Sequence, residues 1–147
     1  MVGYSKLTGQ DQQLAIELLS EHDRLIEPII ARYNGIIVKR IGDAIVAFLS
    51  EPQSAVQCAV EIQTSFLKRN KHNIKSRHIV LRIGLHYGEV LQKRGELYGE
   101  GYNIGCQIEP LCPYGKIAMS VDIFQNIVKD INIMRDVQRF KLTSNSQ

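Results

Sequence analysis

Asp43 is the side chain here whose type and setting most invite chemistry. It sits in the stretch Gly35-Ile36-Ile37-Val38-Lys39-Arg40-Ile41-Gly42-Asp43-Ala44-Ile45-Val46-Ala47-Phe48-Leu49, two Ile- and Val-rich runs meeting at Gly42-Asp43. That dipeptide predicts a tight hairpin turn. A short carboxylate there can bond its own backbone, which is ordinary turn chemistry. Held rigidly between two buried strands, the same carboxylate can instead bind a hard divalent cation. The other usual metal ligands argue less. Cys58, Cys106 and Cys112 are odd in number and lack a Cys-x-x-Cys spacing, and His22, His72, His78 and His86 show no ligand spacing. A disulfide framework and a structural zinc site are therefore not expected, and a reducing compartment is.

The elements that must position Asp43 follow from periodicity. A polar, glycine-containing opening runs from Met1 to Gln10. From Asp11 a helical period sets in through Leu14, Leu18, Leu25, Ile29 and Tyr33, stopping at Asn34-Gly35. After the hairpin, Ser50-Glu51-Pro52 starts a second amphipathic helix through Ala55, Val56, Ala59, Val60, Phe66 and Leu67. Ile79 to Leu91 reads as one long apolar strand, with Gly84 and Gly88 marking a bulge or a close backbone approach. A loop from Gln92 to Glu100 precedes a helix from about Gly101 to Leu111, stopped by Pro113. Lys116 to Ser120 predicts a short buried strand, Val121 to Lys129 a short helix, and the remainder to Phe140 a last strand. A strand–strand hairpin among alternating strands and helices predicts a single ferredoxin-like α+β domain (βαββαβ) over 1–147, truncated at its start and so lacking the first strand.

Bulk composition narrows the classes. Hydrophobic residues at 44% and charged residues at 22% belong to an ordinary globular domain, and the net charge of +3 is too mild and scattered for a nucleic-acid face. Lys68-Arg69-Asn70-Lys71 and Lys75-Ser76-Arg77 read as a solvated helix end and the loop after it. No apolar run approaches membrane-spanning length, and the expected location is cytoplasmic.

Four stretches in this order resemble the class III nucleotidyl cyclase catalytic domain, the adenylyl and guanylyl cyclase family, over nearly the whole chain. They are Met1-Val2-Gly3-Tyr4-Ser5, Val38-Lys39-Arg40-Ile41-Gly42-Asp43-Ala44, Arg82-Ile83-Gly84-Leu85-His86-Tyr87-Gly88-Glu89-Val90, and Leu97-Tyr98-Gly99-Glu100-Gly101-Tyr102-Asn103. The resemblance implies conversion of a nucleoside triphosphate to the 3′,5′-cyclic monophosphate plus pyrophosphate. It implies a head-to-tail dimer with sites at the interface, as a homodimer or a heterodimer with a cyclase paralogue, and a pair of Mg²⁺ or Mn²⁺ ions held by two Asp carboxylates.

By the same resemblance, Asp43 matches the second metal-binding aspartate. Lys39 matches the base-selecting position, where lysine is the adenylyl type because an ammonium can donate to an adenine ring nitrogen; its alternative is a strand-end lysine in solvent. Glu96 matches the acceptor for the adenine amino group, one methylene longer than the usual Asp; its alternative is a solvated loop glutamate. Asn103 matches the ribose-orienting asparagine, with helix capping as its alternative. Val2, Gly3, Tyr4 and Ser5 match the turn whose backbone N–H groups lie against the phosphates.

Two departures matter more than the matches. The family's first metal-binding aspartate would directly precede Met1, on a strand expected before the first helix. Its transition-state arginine is Gln107 here, and Gly105, Cys106 and Pro110 are also unusual; Lys141 is a candidate for the triphosphate lysine. The sequence thus predicts an adenylate cyclase-type domain for ATP, weak or inactive as an isolated chain, with a non-catalytic dimerisation or nucleotide-sensing module as the alternative. A bare ferredoxin-like small-molecule binder is the third reading.

Overall fold

A computed structural model of the protein describes residues 1–130. The expected last strand toward Phe140 and the candidate Lys141 lie outside the described residues. The polar, glycine-containing opening is largely helical: α1 spans Tyr4–Gln10 behind Gly3, whose φ of 73° starts the turn. Asp11 then breaks and restarts the helix, its carboxylate accepting from the Leu14 N–H at 3.0 Å. The second helix, α2 (Gln12–Arg32), buries Ala15, Leu18, His22, Ile26, Ile29 and Ile30, and carries Pro28 on its exposed side. It ends as expected at Asn34, in the left-handed region at φ 56°, and Gly35. A Cβ on Gly35 would lie 2.7 Å from the Ile30 side chain, so only glycine lets the chain turn back there.

The hairpin forms where the sequence placed it, as β1 (Ile36–Ile41) and β2 (Ala44–Phe48), with Gly42 at φ 58° in the first central turn position. Ile37 pairs with Ala47 but Lys39 with Val46, so Val38 is an extra residue bulged out of β1. Helix α3 (Pro52–Lys71) opens with proline in its first turn and packs on α2. Leu18, Ile26, Ile29, Ile30, Cys58, Ile62, Phe66, Ile79 and Leu81 form the core between the two helices and the strands. The basic end of α3 is not simply solvated: the Arg69 side chain is only 9% exposed, held by Glu21 at 2.5 Å and by the Arg77 carbonyl at 2.8 Å. Its guanidinium keeps the Glu21 carboxyl below the usual range, chiefly through that hydrogen bond.

The long strand expected over 79–91 is much shorter. Only β3 (Ile83–Leu85) forms, parallel to β6 (Ile117–Met119). Ile79 and Leu81 are buried as the apolar run required, but their backbone is satisfied differently. The Asn70 side chain brackets Ile79, donating to its carbonyl at 2.8 Å and accepting from its N–H at 3.0 Å. The Val80 carbonyl accepts from Val2, and the Leu81 carbonyl from Gly115 and from the buried Gln63 amide. The expected loop over 92–100 is instead a second hairpin, β4 (Leu91–Lys93) and β5 (Glu96–Tyr98), closed by Arg94-Gly95 with both φ positive. Helix α4 (Glu100–Ile108) runs into a 3₁₀ turn over Glu109–Leu111, and α5 (Val121–Ile127) is capped by Ser120. The α+β layout holds, but the strands form three two-stranded ladders rather than one sheet, and β2 has no strand on its second edge among the described residues.

Candidate active site

Each candidate residue is held by an element whose local sequence dictates its shape. Asp43 follows Gly42 in the β1–β2 turn, and its carboxylate does not cap its own backbone. It pairs with the Met1 amino group, which brings the opening segment onto the hairpin tip. Gly3, Tyr4 and Ser5 lie immediately beyond, at the start of α1, where no side chain caps the helix. Lys39 is exposed on β1, and its side chain makes no hydrogen bond or ion pair among the described residues.

Strand β5 packs against β1, so the strand carrying Glu96 lies beside the one carrying Lys39. Glu96 is paired across the ladder with Lys93 and accepts a hydrogen bond from the Tyr98 hydroxyl, two residues on and therefore on the same face. That bond holds the Tyr98 phenol above its ordinary pKa. Lys93, Arg94, Glu96 and Tyr98 line a shallow concavity at this end.

Asn103 and Gln107 are one helical turn apart on α4, and both are exposed. The helix is capped by Gly99, with Asn103 inside it donating its N–H to the Gly99 carbonyl at 3.1 Å, so the capping reading of Asn103 does not apply. Glycines set how closely α4 and the 3₁₀ turn after it approach β3 and the segment that follows it. A Cβ at Gly101 would fall closer than 3.0 Å to the Glu89 carbonyl oxygen, and one at Gly84 would lie 2.5 Å from the Glu109 nitrogen. At the far end, Arg82 donates to Glu109 at 2.8 Å and lies over the Tyr114 ring, its guanidinium carbon 5.8 Å from the ring centre. His86 Nδ1 meets Ser120 Oγ at 2.8 Å, tying β3 to the cap of α5.

A metal pair is not matched by these residues. Among the described residues no three His, Cys, Asp or Glu side chains gather where an ion could sit. One carboxylate suits a single ligand position, not a dinuclear site. Sequence reasoning missed two partners, Tyr98 for Glu96 and the Met1 amine for Asp43. Reading residues 96–98 as a strand would have revealed the first, through the spacing of two; nothing in the sequence signals the second.

Comparison with known proteins gives a consistent answer. Residues 1–143 match the family model described as the adenylate and guanylate cyclase catalytic domain. The chain is 31% identical over 127 residues to "Putative adenylate cyclase 3" of Rhizobium meliloti (strain 1021), across 86% of this chain and 22% of that protein. It is 24% identical over 119 residues to the serine/threonine-protein kinase pkn2 of Myxococcus xanthus, across 80% of this chain and 14% of that one. It therefore spans less than a quarter of the length of either relative. Among solved structures, the adenylate/guanylate cyclase/hydrolase from Silicibacter pomeroyi superposes with a TM-score of 0.78 at 30% identity, over 88% of this chain and 76% of that one. The adenylyl cyclase CyaB from P. aeruginosa, at 17% identity, shares the fold with a TM-score of 0.71 over 88% of this chain and 76% of that one. Members of this group bind nucleotide, often dimerise and generally depend on a divalent metal. Among the described residues no helix is long and apolar enough to cross a membrane. On the match across residues 1–143, the chain belongs to the adenylate and guanylate cyclase catalytic domain family.

Proposed function

We propose that this is an adenylate cyclase-type domain, handling ATP in a cytoplasmic signalling protein and weak or inactive as an isolated chain. The observation that carries the adenylyl reading is the placement of β5 against β1, which sets the Glu96 acceptor beside the strand of the Lys39 donor. Adenine offers a ring nitrogen that accepts and an amino group that donates, so a lysine and a carboxylate are the complementary pair. Asn103 orients the ribose, whose 3′-hydroxyl attacks the α-phosphorus as pyrophosphate leaves. The Gly3-Tyr4-Ser5 turn offers backbone N–H groups to the phosphates.

Gln107 supplies a neutral donor where charge develops. The loss of one such electrostatic stabiliser typically costs on the order of a hundred- to a thousand-fold in rate, about 3–4 kcal/mol. Asp43 offers one ligand for Mg²⁺ or Mn²⁺, and a second carboxylate must come from outside the described residues. The same two facts favour the second reading, a non-catalytic module that dimerises with itself or a paralogue and senses nucleotide.

The test is cyclic-AMP formation from ATP with Mn²⁺ or Mg²⁺, by the chain in its full reading frame and by its Gln107→Arg variant. Activity gained by arginine supports a weakened cyclase. Silence in both, with ATP binding and dimerisation retained, supports the module. A Lys39→Glu variant that leaves the preference for ATP over GTP unchanged refutes the adenine assignment.

A further inference from the structure

Strand alternation alone would put Lys39 on the same face of the hairpin as Ile37, which packs into the core. The register shows otherwise. Ile37 pairs with Ala47 and Arg40 with Ile45, and Ala47 and Ile45 both pack against the core, so Arg40 projects toward the helices. Lys39 pairs with Val46 and shares the opposite face with Ile41, which is 55% exposed. The extra residue Val38 has switched the parity of everything after it.

Something must hold that switch, because sliding the bulge out would return Lys39 to the helix face at the cost of one residue of slip. The grip is visible at Arg40. Its guanidinium reaches across to α2, meeting the Asp23 carboxylate at 3.2 Å and the Glu27 carboxylate at 2.5 Å. Asp23 and Glu27 are four apart on one helical face, and the planar fork of arginine can serve both at once. Asp23 is itself held from behind, since its other oxygen meets Nδ1 of His22 at 2.8 Å, and His22 is only 3% exposed, its ring 6.0 Å from that of Phe66. The chain of contacts runs from the core to the residue beside Lys39.

We infer that Arg40 is a positioning residue: clamped by Asp23 and Glu27, it locks the Val38 bulge and so fixes Lys39 on the face away from the helices. This rests on the reading of Lys39 as the base-contacting residue, and it adds a specificity role for three side chains that touch no nucleotide. The arrangement favours arginine, whose planar fork presents one nitrogen to Asp23 and the other to Glu27, where a lysine would have to serve both from one point.

The experiment displaces a fluorescent ATP analogue with ATP, GTP and inorganic tripolyphosphate, for wild type, Lys39→Glu, Arg40→Met, Arg40→Lys and the double variant Asp23→Asn/Glu27→Gln. Arg40→Met is expected to cut the ATP-over-GTP preference at least about tenfold, the worth of one misdirected charged hydrogen bond. Tripolyphosphate affinity should be unchanged, Arg40→Lys should fall between, and the double variant should match Arg40→Met. A purely structural arginine would lower the melting temperature and weaken all three ligands together. If Lys39→Glu shifts the preference but a folded Arg40→Met does not, the positioning role is refuted while the base reading stands. If Arg40→Met does not fold, the double variant decides in the same way. If wild type shows no ATP preference, or Lys39→Glu does not alter it, the base reading falls and takes the positioning role with it.

Discussion

Two glycines on α4, one helical turn apart, should respond oppositely to the same substitution. Placed in a helix, alanine is favoured over glycine by about 0.5–1 kcal/mol, and that gain applies in principle to both. At Gly105 the new methyl would stand 3.7 Å from the His86 Cβ, an ordinary contact, so Gly105→Ala should keep the gain. At Gly101 it would fall closer than 3.0 Å to the Glu89 carbonyl oxygen, 3.1 Å from the Glu89 carbonyl carbon and 3.2 Å from that of Gly88. These are backbone atoms and cannot rotate aside. The helix must lift, and overpacking of this kind costs about 1–3 kcal/mol, which exceeds the propensity gain. Net, Gly101→Ala should destabilise by about 1–2 kcal/mol. In a chain of this size that lowers the melting temperature by about 2–8 °C, while Gly105→Ala raises it by about 1–4 °C. Thermal unfolding followed by circular dichroism at matched concentration reads both. A Gly101→Ala protein melting at or above wild type, or a Gly105→Ala protein falling as far as its neighbour, would refute the close-approach argument.

Acid should destabilise the fold in two stages. His22 is buried and its pKa lies below the usual 6.5, mainly through desolvation, so in that window the unfolded chain binds more protons and stability is lost as pH falls below about 6.5. Glu21, lowered by Arg69, adds a loss of the same sign as pH falls below its ordinary 4.5. Urea midpoints should therefore be flat above about pH 7 and decline below it, and a His22→Leu variant whose midpoints decline equally between pH 6.5 and 5 would contradict this. Gln63, 2% exposed, donates to the Lys116 carbonyl at 2.9 Å and the Leu81 carbonyl at 3.3 Å. Both carbonyls also accept from a backbone N–H, so Gln63→Leu should cost only about 1 kcal/mol. Gln63→Glu would aim a buried charge at two oxygens and should cost about 3 kcal/mol or more; equal denaturant midpoints for the two would contradict that account.

What the sequence made legible was mostly local. The Gly42-Asp43 turn, the Asn34-Gly35 stop and the proline at the head of α3 each act through the backbone of one or two residues, and each element fell where they placed it. Burial was legible too, since Ile79 and Leu81 are in the core. Their pairing was not, because a side-chain amide such as Asn70 can do a neighbouring strand's work without any periodic mark. The β4–β5 hairpin was hidden by an Arg-Gly turn, in which Arg94 takes a left-handed conformation usually left to Asn or Gly. The face on which Lys39 lies was also beyond reach, since a bulge changes parity while leaving composition untouched. Arg69, in a run whose composition reads as solvated, is nearly buried because Glu21, distant in sequence and on another helix, meets it in space.

The division of the strands into three ladders also orders them in time. β1–β2 and β4–β5 each close across two turn residues, and hairpins of that kind form in roughly 1–10 μs. β3–β6 is parallel and must close the whole stretch from Gly84 to Ala118, with the β4–β5 hairpin and α4 inside the loop. Among the three ladders, loop-closure entropy weighs most on that pairing. The helix bearing Asn103 and Gln107 lies inside that loop, so closing it, more than hairpin formation, should set the pace at which a native molecule appears.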